Sequence, residues 1–502
     1  MSRPKGYLVN VVWSWLSYLV SLTYGFVLFP MLIRYLGAER YGIWDLAGSL
    51  VESLWMIDIG FRAGTVKLCA EFRAHDRDDQ INGVINTALA YSVAVSAVVV
   101  GVVWFRADRI AGFYSRITDP AFPFLIRATV LSFALGLIFN IFAAALEGFH
   151  RFDLSTRAGI IRDLLRIALS IGVIKGGYGL REMGWVLLIS QGVCYLLWLY
   201  FCRATFPELK ISPLEASRAM AKRLVGYVRQ VAFGMLSDRL TNFAIPSWIG
   251  KTMSSDYIGY YTRLRRLPDY GADVVSRVGL VTAPRVTAMF ARGELKEIVK
   301  LTEQANRYCL LIWGCAAAFL FVYGQAFCTV WVTPTFGEQA ATVLPYLVFA
   351  YTLWMGQFIS AAVLMGIERY GKYSAALAME SVCEVIAVMA VVPEYGIGGA
   401  ARVIATGIVL IRFLFLSKCF AVEFQLSQFR YLAHIYTGPM TLIAVGTGGL
   451  WLLREFAIPG KSWLQLIGVA LVFSALYLAT AALAIVPREH RELVLQKLRS
   501  RT

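Results

Sequence analysis

Apolar segments of about 20 residues, each long enough to cross ~30 Å of hydrocarbon, recur along the whole chain. They cover 7–33, 43–66, 81–105, 121–147, 156–175, 184–202, 229–250, 256–283, 303–323, 340–366, 373–392, 400–420, 432–453 and 463–486, fourteen spans in 502 residues. Only short connections are left, too short for an independent soluble domain. Backbone polar groups in hydrocarbon must be paired inside the segment, so the spans predict helices and an all-α polytopic membrane protein. Composition agrees. Charged residues make up 16% of the chain and hydrophobic ones 58%, with mean hydropathy +0.62, whereas soluble domains hold about 25% charged residues.

The first apolar run continues from Tyr7 to Ile33 with no small-residue cleavage pattern, so it predicts a retained helix. The eight Cys lie in or beside apolar segments without a C-x-x-C pair, as buried thiols do, and the four His are too scattered for a metal site. No phosphate-binding Gly loop, dinucleotide fingerprint or H-E-x-x-H occurs, so neither a metal nor another cofactor is expected. The net charge of +16 would suggest nucleic acid in a soluble protein, but here it sorts by side of the membrane. With the N-terminus inside, the cytoplasmic segments hold 28 Lys and Arg against 10 opposite. That bias predicts cytoplasmic termini and no nucleic-acid partner.

An internal repeat is visible. Ala143, Ala144, Leu146, Gly148 and Arg151 match Ala361, Ala362, Leu364, Gly366 and Arg369 at an offset of 218, and Tyr178-Gly179 matches Tyr395-Gly396 at 217. Two parallel six-helix lobes follow, with a pseudo-two-fold along the membrane normal and a cleft between them. The expected organisation is an N-lobe at 1–202, a cytoplasmic amphipathic linker at 203–228, a C-lobe at 229–420, and two further helices with a basic tail at 421–502. Ser212-Pro213-Leu214-Glu215 has the pattern of a capping box that opens a basic linker helix.

Charges inside spans cost about 2.5–3.5 kcal/mol each on insertion scales and therefore seek a cavity or a partner. In the 256–283 span, Arg263, Arg266, Tyr270, Asp273 and Arg277 stack on one helix face. This face either lines a cavity, where Arg forks suit pyrophosphate oxygens, or is tied by Asp269 and Asp273 to Arg265, Arg266 and Arg277. Asn10, Ser14, Ser17 and Ser21 form a second stripe that faces a hydrated cleft or permits close helix packing. Asp45, Glu52, Asp58, Glu380 and Glu384 are candidates for coupling to a proton or sodium gradient, with Asp163, Asp238, Asp269 and Asp273 completing the intramembrane acids. Asp58 is expected to pair with Arg62, and mutual repulsion is expected between Glu380 and Glu384. Pro30, Pro246 and Pro268 are candidate hinges.

The turn Pro30…Arg34-Tyr-Leu-Gly-Ala-Glu-Arg-Tyr-Gly-Ile43, the Asp58-Ile-Gly60 motif and the two-lobe repeat resemble the oligosaccharide-flippase, or polysaccharide-transport, branch of the multidrug/oligosaccharidyl-lipid/polysaccharide flippase superfamily. The resemblance implies an alternating-access transporter in the bacterial cytoplasmic (inner) membrane. Its implied partner is an undecaprenyl-pyrophosphate-linked anionic oligosaccharide, moved from the cytoplasmic to the outer leaflet, with membrane lipids around it and glycan polymerase or glycosyltransferases acting nearby. Two rivals stand beside it: a cation-coupled drug antiporter of the same fold, which should be richer in acids than the 256–283 face, and a membrane glycosyl polymerase or ligase. The latter needs a long outer loop, and the longest expected here are 106–120 and 324–339.

Overall fold

The computed structural model of the chain describes residues 13, 16–56, 58, 61–75, 77–212 and 215–486, leaving out the side chains at 24, 52, 53, 56, 226–239, 277–285, 287, 288 and 291. All regular structure among the described residues is helical. The chain divides into two compact units, Met1–Gly259 and Tyr260–Thr502.

The first unit holds α1 (Leu16–Leu36), α2 (Ala38–Glu52), α3 (Phe61–Ala74), α4 (Asp78–Phe113), α5 (Phe122–Gly148), α6 (Phe152–Lys175), α7 (Leu180–Thr205) and α8 (Arg218–Thr252). A π-helical turn at Tyr24–Leu28 precedes Pro30 in α1, so the hydrogen-bond ladder changes register just before the residue that cannot donate. Gly37, at φ 85°, ends α1 within the Arg34–Ile43 motif. The expected 43–66 span is two helices: α2 runs into a 3₁₀ turn at Ser53–Met56, Asp58 follows in a turn, and α3 starts at Phe61. Leu68, Phe72, Ile81, Ile85, Leu146 and Phe206 are among the buried residues that pack α3, α4, α5 and the end of α7 together.

α8 starts at Arg218 with Ser217 at the N-cap; of the expected capping box before it, Pro213 and Leu214 lie outside the described residues. Before it, the chain is held by side chains of α4. Asn82 donates to the Glu208 carbonyl at 3.0 Å and accepts from Lys210 N–H at 3.0 Å; Asn86 does the same to Lys210 O and Ser212 N–H at 2.6 and 2.9 Å. Thr87 accepts from Ser217 N–H at 2.9 Å. These tertiary bonds pair backbone groups of the segment before α8 with side chains of another helix.

The second unit holds most of α9 (Asp256–Ala291), then α10 (Leu295–Trp331), α11 (Pro334–Met355), α12 (Phe358–Gly366), α13 (Gly371–Gly407), α14 (Leu416–Glu423), α15 (Gln428–Phe456) and α16 (Trp463–Ala484). The supposed 324–339 loop is helical on both sides of Val332-Thr333, because Pro334 starts α11 and the Thr333 hydroxyl accepts from Phe336 N–H. α11 and α12 meet at a bend of 44° and together pass the length and apolarity needed to cross a membrane. At the break, buried Asn306 of α10 accepts from Ile359 N–H at 2.9 Å and donates to Ser360 at 2.8 Å, supplying a partner for an exposed helix start inside the span. α13 folds back on itself at Gly396, whose φ of 59° and ψ of −154° suit glycine alone. Its second arm continues through a π-helical stretch, Ile408–Phe415, into α14. α8 and α9 stay helical through Pro246 and Pro268.

The repeat is visible atom by atom. α5 and α12 end alike, with His150 at φ 59° and Glu368 at φ 58°; Arg151 N–H bonds Leu146 O at 2.9 Å and Arg369 N–H bonds Leu364 O at 2.8 Å. Gly148 is required because a Cβ there would meet Cys69 of α3 at 2.7 Å. Beyond the cap, Asp153 takes Arg151 at 3.0 Å. Burial works to raise the Asp153 carboxyl, but hydrogen bonds from Arg151 and the charges of Arg151 and Arg157 outweigh it and hold it below its usual value.

Seven helices among the described residues are long and apolar enough to cross a membrane, or eight with the bent pair counted once. The other expected spans coincide with helices that are shorter or more polar. The chain is an all-α multi-pass membrane protein.

Candidate functional site

In the first unit, α6 carries its charges inward. Arg162 lies ten residues into α6, roughly 15 Å along the axis. It pairs with buried Asp163 at 2.8 Å, and Asp163 also accepts from Ser21 of α1 at 3.1 Å. Of the small-residue stripe, Ser21 therefore meets a charged partner; Ser17 is half-buried, and Asn10 and Ser14 lie outside the described residues. Arg157 stands over Trp13 at 4.7 Å and Arg166 over Trp44 at 5.9 Å. Arg166 also lines a cavity of about 430 Å³ together with Trp55, Thr129, Ser132, Gln191 and Tyr195. This cavity joins a guanidinium, hydroxyls, an amide and aromatic faces, a set suited to an anionic, hydroxyl-rich ligand.

A second cluster gathers around the α2–α3 break. Arg62 makes its ion pair with Glu147 and donates to Asn140 at 3.1 Å, while Asn140 reaches Asp58 at 3.4 Å. The expected Asp58–Arg62 pair is thus replaced by a bridge through Asn140, because α5 presents an amide and a carboxylate to the same guanidinium. Asp45 accepts from Tyr41 at 3.4 Å on its own helix. The Glu52 side chain lies outside the described ones.

In the second unit, the α9 face is joined within the helix itself. Arg266 contacts Asp269 at 3.5 Å and Asp273 at 3.1 Å, with its guanidinium 5.3 Å from the Tyr270 ring. Arg263 is half-buried, and the Arg277 side chain lies outside the described ones. Asp269 also accepts from Tyr351 of α11 at 2.5 Å. Tyr351 is edge-on to Trp354 at 5.3 Å, and Trp354 lies 5.0 Å under Arg412. Arg412 donates to both oxygens of buried Glu380, at 3.1 and 3.3 Å. Arg265 is within electrostatic reach of Tyr261, Tyr351, Asp269 and Glu384. The two glutamates are therefore not a bare repelling pair: cationic groups from α9 and the π-helical stretch offset them.

Sequence reasoning missed Arg162, Arg166 and Gln191 in the first unit and Tyr351 and Arg412 in the second. A signal was present. Arg162 and Arg166 lie 218 residues before Glu380 and Glu384, the offset of the repeat, and Phe133 precedes Tyr351 by the same distance. The two units carry opposite charge at corresponding places. The repeat thus preserves the backbone and reverses the chemistry.

Comparison with known proteins agrees with this architecture. Residues 31–340 match the model of a family described as polysaccharide biosynthesis protein. A Shigella flexneri protein assigned by name as an O-antigen transporter is 20% identical, over 82% of this chain and 99% of its own length. Two solved structures share the fold. The lipid II flippase MurJ in an inward closed conformation has a TM-score of 0.67 at 13% identity, covering 94% of this chain and 98% of its own. An inward-facing multidrug resistance MATE family transporter has 0.68 at 16%, covering 84% and 96%.

Proposed function

The chain belongs to the polysaccharide biosynthesis protein family, and on that premise we propose that it is a flippase for a lipid-linked, undecaprenyl-pyrophosphate oligosaccharide. The direction is from the cytoplasmic to the outer leaflet of the bacterial inner membrane, by alternating access of two lobes. In this reading the chain is a transporter and catalyses no bond change. The observation that carries it is the Arg166 cavity inside the apolar helices of the first unit. A sugar-pyrophosphate head cannot cross hydrocarbon bare, and each negative charge it carries must exchange water for donors along the route. Arg166 and Gln191 bring N–H donors to one place beside the Ser132 hydroxyl, while the Thr129 and Tyr195 hydroxyls, which donate to the Leu125 and Ser132 carbonyls, are left as acceptors for sugar hydroxyls. On α9, Arg263, Arg266 and Arg277 are further contacts for the head, with Asp273 and Tyr270 limiting how tightly it is held.

Transport in this reading is coupled to a proton or sodium gradient through intramembrane carboxylates, with Glu384, Glu380, Asp45, Glu52 and Asp58 as the set to test. Buried Glu380 and Glu384, and the likeness to a multidrug transporter fold, favour a second reading as a cation-coupled drug antiporter. One experiment separates them. After depletion of the protein, the flippase reading expects lipid-linked sugar to accumulate on the cytoplasmic leaflet with drug sensitivity unchanged. Normal leaflet distribution with raised drug sensitivity would select the antiporter.

A further inference from the structure

A lipid site of a different kind lies on the α13 hairpin. Arg402 stands six residues past the Gly396 turn, roughly 9 Å along the second arm, and two residues inside the start of the expected 400–420 span. It is exposed, its guanidinium lies 5.1 Å from the Tyr346 ring of α11, and no carboxylate among the described residues pairs with it. Two apolar grooves meet at this one cation. One, of about 460 Å³, runs between the two arms of the hairpin past Met379, Cys383 and Val391. The other, of about 540 Å³, runs along α10 and α11 past Phe321 and Phe349. Arg402, Thr406 and Leu410 border both.

We propose that this face binds an anionic glycerophospholipid, its phosphate on Arg402 and one acyl chain in each groove. Both grooves are apolar and belong to a membrane-spanning unit, so hydrocarbon fills them better than water does. The Arg fork suits two phosphate oxygens, and Tyr346 fixes the guanidinium plane. A phospholipid presents two chains diverging from one phosphate, which is the relation of the two grooves to Arg402; a single-chain polyprenyl lipid would leave one groove empty. The acids lining the first groove do not oppose the phosphate. Glu384 lies twelve residues from the turn against six for Arg402, roughly 9 Å deeper than that cation, and Glu380, deeper still, is held by Arg412.

The test is native mass spectrometry of the purified protein in neutral detergent with added phosphatidylglycerol, phosphatidylcholine or polyprenyl phosphate. Retention of phosphatidylglycerol over phosphatidylcholine is expected, falling roughly fivefold in Arg402→Ala, as loss of one membrane-surface cation implies, and less in Arg402→Lys. Thr406→Trp, which fills the junction of the grooves, should also lower retention with Arg402 intact. Phosphatidylglycerol should raise the melting temperature of the wild type and not of Arg402→Ala, a readout that also reports whether the variant is folded. Equal retention in wild type and Arg402→Ala, equal retention of both phospholipids, or selective retention of polyprenyl phosphate would each overturn the proposal. None of these readouts involves transport, so failure here leaves the flippase reading as it was.

Discussion

His150 and Glu368, 218 residues apart, hold the same left-handed conformation at φ 59° and 58°, each one residue before an Arg whose N–H closes a helix end. Left-handed backbone costs an L-residue roughly 1–2 kcal/mol, a strain glycine escapes. His150→Gly and Glu368→Gly should therefore each raise the melting temperature in detergent. The two effects should add, because the caps belong to separate units. A fall in melting temperature for both would show that their side chains matter more than the backbone.

Arg412 and Glu380 form an enclosed ion pair in the second unit, with no side-chain exposure at the carboxylate. Removing one partner of a buried pair leaves an uncompensated charge, at a typical cost of about 3–5 kcal/mol. Arg412→Ala should thus lower stability sharply, and adding Glu380→Gln should recover part of the loss. A thermal-unfolding cycle over the four variants measures the coupling. Independent effects of the two changes would mean that the pair is not held in the membrane-embedded protein.

The Asn82 and Asn86 ladder predicts a site of controlled loosening. Asn86→Leu removes the hydrogen bonds to the Lys210 carbonyl and from the Ser212 N–H, worth about 0.5–1.5 kcal/mol each. Limited proteolysis should then cut between Phe206 and Ser217 faster than in the wild type, while the cores of α4 and α5 stay protected. Unchanged cleavage would mean that the segment is held by other contacts.

The α9 face yields a prediction that distinguishes binding from tethering. If the pyrophosphate uses these groups, Arg266→Lys should reduce flipping, Arg266→Ala should reduce it further, and exchanging Arg266 with Asp273 should not rescue. A tether alone predicts rescue by the exchange. Arg166→Ala is expected to impair flipping at least as much as Arg266→Ala, because Arg266 already spends its charge on Asp269 and Asp273. Wild-type flipping in Arg166→Ala at normal membrane abundance would place the head elsewhere.

Orientation and coupling are open to direct measurement. With the native thiols replaced, single Cys probes at Ile211 and Ser500 should be shielded from impermeant reagent added outside intact cells, as the Lys and Arg bias requires. Asp45→Asn, Glu52→Gln and Glu384→Gln should weaken the dependence of transport on the ion gradient in whichever variant removes the coupling carboxylate. Unaltered dependence in all three would remove them from the mechanism.

Hydropathy alone determined the membrane class and the all-helical character, because a chain in hydrocarbon has almost no other way to pair its backbone, but it did not place the break at Ser53–Met56 or the helix across 324–339. It also exposed the repeat, through Gly148 and Arg151 with their counterparts Gly366 and Arg369, since close packing of α5 on α3 and a shared helix end restrict those positions. Local pattern could not show that Asn82, Asn86 and Thr87 of another helix hold the segment before α8, because a capping box describes only neighbours in sequence. The same limit applies to partners. Spacing along α9 brought Arg266 and Asp273 together, three and seven residues being whole turns, but Arg412 reaches Glu380 and Ser21 reaches Asp163 only after separate helices pack. One-helix relations follow from the periodicity of the backbone. Whether a buried charge is paired, bridged or aimed into a cavity depends on what distant segments place beside it, and that was decided by tertiary structure.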